Sequence, residues 1–199
     1  MTDNILQQTL HLPASDYHRM PWKNGQGATD EVWLFPPDAS RDGFQIRISR
    51  APILSDGGFS AFPGADRIIT LIEGPQLVLE FDHASHRLNP LQPYRFDTGL
   101  APVGRVPAGP VRVFNVMADR DHWALSAEML HEPAALTRGN VVILALDPQR
   151  VEVEVTREKN PRLSDSAERV ELTLRGKGPV TRAEASAAED RKSTRLNSS

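Results

Sequence analysis

Short runs of Val, Ile, Leu and Phe, separated every few residues by proline or glycine, make up most of the chain. Runs of this length between turn-forming residues are typical of β-strands. Helical periodicity is weak, and the segment 122–130 is compatible with either a short helix or a strand. The pattern predicts an all-β protein, with its clearest strands at Glu31–Phe35, Phe44–Arg50, Arg67–Glu73, Gln76–Phe81, Val111–Met117, Val141–Leu146, Val151–Thr156 and Arg169–Leu174.

Two of these strands have an informative alternation. In the segment 44–49 apolar side chains alternate with a polar set that includes Arg47 and Ser49, so these two share one face. In 111–117 the amide of Asn115 falls on an otherwise apolar face, where it needs hydrogen-bond partners if buried. On a half-exposed sheet, by contrast, Arg47 and Ser49 are ordinary solvent-facing residues.

The distribution of strands and motifs divides the chain into three parts. Residues 1–135 are predicted to form a first barrel, and residues 136–180 a second, smaller β unit. The segment 181–199 loses periodicity and ends DRKSTRLNSS, so we expect it to be disordered or foreign to the domain. Within the first part, Glu73-Gly74-Pro75-Gln76 is a turn signal consistent with a hairpin.

Composition and charge exclude several classes of partner and site. The 199 residues carry a net charge of −3 with both signs dispersed, which does not favour nucleic acid or an anionic membrane as partner. No cysteine is present, so disulfides, thiolate metal sites and cysteine nucleophiles are excluded. The N-terminus has no secretory pattern, and no apolar run approaches the ~20 residues of a membrane span. We therefore expect a cytoplasmic protein.

The first cluster of special residues, MPWKNGQGATDEVW, combines a flat ring at Trp22, a cation at Lys23 and an amide at Asn24 with flexible glycines. Such a set suits an anionic or amide-bearing ligand, although a plain loop that covers a barrel end has the same composition. In a second cluster, GGFSAFPGADR, Asp66 and Arg67 alternate faces, so one of them points inward. The alternative is that Asp66 caps the turn and Arg67 is solvated.

Taken in order, the segments MPWKNGQGATDEVW, FQIRIS, GGFSAFPGADRIITLIEG and VRVFNVMADR resemble the HutD/Ves family over about residues 17–120. The resemblance implies a double cupin-type β-barrel (bicupin) in a single chain. It also implies a bacterial accessory or regulatory protein of histidine utilisation, with a pocket for a small carboxylate such as urocanate or formylglutamate. One departure is Gln26, which lies between two glycines where the family usually has a third.

The histidines do not form the pattern of a metal-binding cupin. None of the six forms His-x-His, and the nearest pair, His83 and His86, falls in a segment predicted to be a loop. We therefore expect no metal and no cofactor. Acid–base chemistry stays open, since Glu31, Asp66 and His18 are compatible with a shared pocket whose geometry the sequence does not define.

These observations lead to a hypothesis of a ligand site inside the first barrel. Arg47 would grip a carboxylate with Ser49 on its face, Arg67 would add a second cation and Asn115 an amide. Trp22 would stack or act as a lid, with Lys23, Asn24 and Glu31 at the mouth of the site. The predicted ligand-binding residues are Trp22, Lys23, Asn24, Glu31, Arg47, Ser49, Arg67 and Asn115.

Three functions are compatible with such a site. The favoured one is a non-enzymatic accessory protein that binds a small anion of histidine catabolism. The second is a metal-free cupin enzyme, an isomerase or hydrolase, that depends on Glu31 or His18. The third is a protein-interaction module with a vestigial pocket. A homodimer through an exposed sheet edge or face is compatible with such barrels.

Overall fold

The computed structural model of the chain describes residues 12–21, 27–40, 42–130, 134–136, 140–146, 152–159, 168–175 and 180–187. Apart from two short 3₁₀ turns, Ala14–Asp16 and Thr98–Leu100, its regular elements are all strands. The prediction of an all-β chain is confirmed. Within these ranges no helix combines the length and apolarity needed to cross a membrane.

The described residues form sixteen strands, which pair in antiparallel fashion. They are β1 (His18–Pro21), β2 (Ala28–Phe35), β3 (Ile46–Ile53), β4 (Gly57–Gly58), β5 (Ala65–Glu73), β6 (Leu77–Phe81), β7 (Ala84–Leu88), β8 (Tyr94–Asp97), β9 (Val103–Arg105), β10 (Val111–Asp119), β11 (Trp123–Leu130), β12 (Ala134–Leu136), β13 (Asn140–Ala145), β14 (Glu152–Lys159), β15 (Glu168–Arg175) and β16 (Val180–Ala187).

Six of these strands form a large sheet in the order β1-β2-β3-β10-β5-β8. One face of it, called the inner face, packs against a small sheet of four strands in the order β4-β9-β6-β7. The core between the two sheets includes Leu71, Leu77, Leu79 and Val113, each no more than 1% exposed. Burial of one such side chain contributes about 1.5–3 kcal/mol, so this core is a main source of stability.

The opposite, outer face of the large sheet is covered as well. Ile48, Phe114 and Val116 pack there against Leu125 of β11, with Leu144 of β13 at the margin. β11, β16 and β13 form a three-stranded sheet in that order, and β12, β15 and β14 form another. Both faces of the large sheet are buried at the start of β3, so an arginine there has no solvent face on which to lie at no cost.

The turn after β5 does not form the predicted hairpin. β5 pairs with β10 and β8, whereas β6 pairs with β7 and β9, so the chain passes here from the large sheet to the small one. Gly74 adopts a φ of +99°, and a Cβ at this position would lie 2.7 Å from the carbonyl oxygen of Pro110. The glycine thus permits a close approach of two chain segments.

Strands also form in two segments for which the sequence does not predict one: its pattern leaves one open between helix and strand and assigns the other to a tail outside the domain. The segment 122–130 contains β11, and the predicted tail 181–199 contributes most of β16, which lies between β11 and β13. Alanine and polar residues dominate 180–187, so the hydropathy of this segment does not predict a strand. Its backbone pairs with β11 on one edge and with β13 on the other. The pairing of β11 with β16 also means that a division at residue 135 separates strands of one sheet.

Candidate functional site

Strand β3 brings Arg47 and Ser49 to the inner face of the large sheet. Both residues are only 3% exposed. Ile46 and Ile48, which alternate with them, join the core on the outer face instead. The interpretation of Arg47 and Ser49 as a solvent-facing pair is therefore wrong, because both faces of β3 are covered here.

Neighbouring strands place three more polar side chains beside these two. Ser49 has Glu31 of β2 as cross-strand partner on one side and Asn115 of β10 on the other. Two residues further along β10, Met117 is the cross-strand partner of both Arg47 of β3 and Arg67 of β5. At a strand spacing of about 4.8 Å, the backbones of the two arginines lie on the order of 10 Å apart. We call these five residues the inner polar cluster.

A β-bulge in β2 decides which of its side chains enters this cluster. Glu31 pairs with Ser49 and Trp33 with Ile48, so the register shifts by one residue between them. Trp33 consequently packs against the outer core, while Glu31 keeps its side chain on the inner face at 14% exposure. Arg47 Nε donates to Glu31 Oε2 at 3.0 Å, so the charge of Arg47 is compensated by a carboxylate.

Arg67 is 4% exposed and, among the described residues, has no carboxylate partner. Its Cζ lies 5.1 Å from the ring centroid of Phe59 and 5.6 Å from that of Phe96, and its Nη2 donates to the Ser60 carbonyl at 3.4 Å. Its Nε is buried without a hydrogen-bond partner there. Burial, and to a lesser extent the positive charge of Arg47, lowers the pKa of Arg67 to about 10. Arg67 is therefore a buried, charged guanidinium at neutral pH, and the interpretation of it as solvated is wrong.

Asn115 adds an unpaired acceptor to the cluster. It is 6% exposed, and its Oδ1 is buried with no hydrogen-bond partner within the described part of the chain. A buried polar atom without a partner costs on the order of 1–3 kcal/mol. The cluster thus offers both a donor, at Arg67, and an acceptor that the described residues leave unsatisfied.

The segment between β4 and β5 lies against both arginines. Phe59 stands next to Arg67 as described, and the ring centroid of Phe62 lies 5.8 Å from Arg47 Cζ. Thr98 Oγ1 hydrogen-bonds to the carbonyl oxygen of Phe62 and holds this end of the segment in place. The two aromatic rings therefore cover the guanidinium groups, which strengthens their electrostatic interactions by excluding water.

The predicted site residues have different outcomes. The structure brings together Glu31, Arg47, Ser49, Arg67 and Asn115. The sequence predicts Glu31 at the mouth of the site, whereas the structure pairs it with Arg47. Trp22, Lys23 and Asn24 lie outside the described residues.

Sequence reasoning did not assign Phe59 and Phe62 to the site. The pattern treats them as aromatic residues that pack in a turn-rich crossing between strands. Their only available signal is their position in GGFSAFPG, where glycines bracket two rings just before the inward-pointing Arg67. That signal does not distinguish a cover over a polar site from ordinary packing.

Of the three groups considered for acid–base chemistry, Glu31 and His18 are neighbours, whereas Asp66 lies on the other face of the large sheet. Asp66 points away from Glu31 and pairs instead with Arg95 and with Arg120, whose Nη2 lies 3.2 Å from Asp66 Oδ1. His18 is the register partner of Glu31 across β1 and β2, but it is exposed. Asp66 therefore does not join Glu31 and His18 around one point.

Two histidines of the described region, His86 and His122, contact other side chains. The segment predicted as a loop around His86 is strand Ala84–Leu88, in which His86 stacks on Tyr94 with ring centroids 3.7 Å apart. His122 Nδ1 lies 2.7 Å from a carboxylate oxygen of Asp119. Across the described ranges, no three or more His, Asp or Glu side chains are grouped so as to hold a metal ion.

Two solved structures resemble this chain over nearly its whole length. The structure of HutD from Pseudomonas fluorescens SBW25 is 29% identical, with a TM-score of 0.72, and the match covers 88% of this chain and 97% of that one. A conserved protein of unknown function from Pseudomonas aeruginosa PAO1 is 28% identical, with a TM-score of 0.69 and coverage of 87% and 96%. The HutD family model matches residues 14–186. The chain therefore belongs to the HutD family.

Proposed function

We propose that this protein binds a small carboxylate at the inner polar cluster and serves histidine utilisation as an accessory or regulatory protein. Membership of the HutD family supports the connection with histidine utilisation. The proposed ligands are small acids of that pathway, of the urocanate or formylglutamate type. We place this activity in the cytoplasm and assign no catalytic step to the protein.

The observation that carries the proposal is the state of Arg67. A guanidinium that is 4% exposed and lacks a carboxylate partner among the described residues is unfavourable unless an anion accompanies it. A ligand carboxylate would supply that anion and accept the charge-assisted hydrogen bonds that arginine presents as a fork. Binding would also restore the pKa of Arg67 toward its ordinary value, since a neighbouring negative charge favours the charged form.

The remaining members of the cluster have complementary roles in the proposal. Arg47, fixed by Glu31, adds positive potential beside Arg67. The unpaired Oδ1 of Asn115 accepts a hydrogen bond from an N–H or O–H of the ligand. Ser49 lies between Glu31 and Asn115 in the strand register and contributes a hydroxyl.

Formate is the natural first probe for this site. The structure of the Pseudomonas fluorescens protein is that of a formate condition. Formate is also the smallest carboxylate, so its binding depends on charge and hydrogen bonding and very little on the size of the space. Urocanate and N-formylglutamate then extend the test to acids of the proposed pathway.

The proposal includes the architecture that the family resemblance implies. We propose that the large and small sheets form the first cupin-type barrel, and that the sheets built from β11–β16 form the second. The ligand site would lie in the first barrel only, because the inner polar cluster belongs to the large sheet. Any homodimer would leave this cluster inside each protomer.

Isothermal titration calorimetry of the full chain with formate, urocanate and N-formylglutamate tests the proposal. We expect saturable binding of at least one acid, and its loss in Arg67→Met, which keeps the length of the side chain but removes its charge. Arg105→Met is the matched control, because Arg105 lies exposed on the small sheet and pairs with Glu80. The control is expected to bind like the wild-type protein.

Two results would argue against the proposal. If no acid binds, or if Arg67→Met binds as well as Arg105→Met, the inner polar cluster is not the site. If an acid is converted, as judged by ¹H NMR of the mixture over hours, the protein is an enzyme and the non-catalytic assignment is wrong.

A further inference from the structure

The charges of the inner polar cluster do not cancel. Among the described residues the cluster contains the cations Arg47 and Arg67 and the single carboxylate of Glu31. Arg47 Nε donates a hydrogen bond to Glu31 Oε2 at 3.0 Å, so the positive charge of Arg47 and the negative charge of Glu31 compensate each other. The cluster as a whole therefore carries one positive charge, and it resides on Arg67.

We infer that Glu31 determines the charge class of the ligand, so that the site accepts acids with one negative charge and rejects those with two. Of the pathway acids named above, urocanate, a monocarboxylate, fits this class, whereas N-formylglutamate, a dicarboxylate, does not. The inference rests on the proposed function. It assigns to Glu31 a role in specificity, because its carboxylate does not need to touch the ligand in order to act.

The physical reason is the balance of charge in a space from which water is largely excluded. One carboxylate neutralises Arg67 and leaves the cluster without net charge. A second carboxylate would meet no further cation of the described cluster, since Arg47 is already paired, and it would lie near the negative charge of Glu31. At an effective dielectric constant of about 20, an uncompensated charge within some 7 Å changes affinity by about tenfold or more.

The acceptor at Asn115 sharpens the ligand class further. Its Oδ1 is buried and unpaired, so a ligand with an N–H or O–H near its carboxylate satisfies it, whereas a second carboxylate brings another acceptor. Both observations point in the same direction. The preferred ligand is a monocarboxylate that also carries a hydrogen-bond donor.

Malonamate and malonate form a suitable pair of probes for this inference. They have nearly the same size, but malonamate has one carboxylate and an amide donor, whereas malonate has two carboxylates. Affinities are measured by calorimetry, with formate as the reference ligand.

Three forms of the protein distinguish charge from shape. The wild-type protein is expected to bind malonamate at least about tenfold more tightly than malonate. Glu31→Gln keeps the size of the side chain and a hydrogen-bond acceptor for Arg47 but leaves two net positive charges, so the preference should shift to malonate. The double variant Glu31→Gln/Arg47→Gln has one net charge again, so the preference for malonamate should return.

The outcomes separate this inference from the proposed function. If none of formate, urocanate and N-formylglutamate binds the wild-type protein, the proposed function fails and the inference with it. If any of these acids binds but malonamate does not, or the ratio of affinities is the same in all three proteins, the inference alone is overturned. Should Glu31→Gln not fold, as judged by thermal unfolding, the single variant Arg47→Gln and the double variant decide, because they differ only in the charge of Glu31. A weaker preference for malonamate in the double variant than in Arg47→Gln supports the inference, and equal preferences contradict it.

Discussion

Asp66 and Arg67 are neighbours on one strand, yet they face opposite sides of the large sheet and have opposite electrostatic surroundings. Asp66 is paired with both Arg95 and Arg120, and Arg120 reaches Asp97 at 2.7 Å as well. Arg67, one residue further, has two aromatic rings and a long hydrogen bond to a carbonyl. The first arrangement compensates its charges internally, whereas the second leaves a guanidinium without a carboxylate partner among the described residues.

Other arginines of the large sheet follow the first arrangement. On β3, Arg50 pairs with Asp30 at 3.1 Å. The Nε atoms of Arg50 and Arg120 are buried without a partner, as is that of Arg67, so an unpaired Nε does not by itself indicate a binding site. What distinguishes Arg67 from these two arginines is that no carboxylate of the described part of the chain pairs with it.

The largest effect is expected when the inner cluster loses its only described carboxylate. Glu31→Ala leaves Arg47 buried without its partner, next to Arg67. Removal of one partner from a buried pair typically costs 3–5 kcal/mol, so the free energy of unfolding should fall by about that amount. Urea denaturation measures it, and Glu80→Ala, which removes the exposed partner of Arg105, should change stability little. Equal losses in the two variants would show that the Glu31–Arg47 pair behaves as a surface pair.

The next effect has the opposite sign. Arg67→Met removes an uncompensated buried charge and places a flexible apolar side chain between Phe59 and Phe96, so the protein should become more stable by about 1–2 kcal/mol. A gain in stability together with a loss of acid binding is the expected signature of a residue retained for function. If Arg67→Met is strongly destabilised, Arg67 is a structural residue and the contrast with Asp66 disappears.

Asp66→Asn should have the reverse effects on stability and binding, namely a loss of stability and unchanged binding of acids. Asp66→Asn weakens the pairs with Arg95 and Arg120, whose side chains are 40% and 35% exposed, so solvent compensates part of the loss. The expected cost is about 1 kcal/mol, with acid binding unchanged. Thermal unfolding and calorimetry on the same samples measure both quantities, and a loss of binding in Asp66→Asn would contradict the separation of the two faces. Asp56→Asn, at an exposed position, is the control.

Much of the fold and most of the described cluster were predictable from local pattern. The alternation in 44–49 predicts that Arg47 and Ser49 share one face. The alternation in 111–117 places Asn115 on the same face as the apolar residues two positions away on either side. Such predictions succeed because the two-residue period of a strand is a local property. Whether that face is buried is not local, because it depends on the small sheet, which is distant in sequence.

The errors have the same origin. The turn at Gly74 has the composition of a hairpin, but the partners of β5 and β6 are chosen by packing of distant segments. Strand β16 has few large apolar residues and is held between β11 and β13 by backbone pairing. The pairing of Glu31 with Arg47 depends on a bulge in β2 that shifts the register by one residue. The residue types in this segment do not predict that bulge.

The smallest effect concerns the pH dependence of stability. The pKa of Arg67 in the folded protein is lowered to about 10, below that of the unfolded chain, chiefly by burial. The cost of its buried charge is therefore fully present below about pH 9 and is relieved as the pH rises through the folded-state pKa, because the folded state then binds fewer protons than the unfolded state. Relative to Arg67→Met, the wild-type protein should gain roughly 0.4 kcal/mol between about pH 8 and about pH 10. Other titrating groups are common to both proteins and cancel in the difference, which urea denaturation at each pH measures. A saturating acid bound to Arg67 should abolish this gain, since it raises the pKa again, whereas a gain that persists with the acid bound would mean that the carboxylate lies elsewhere.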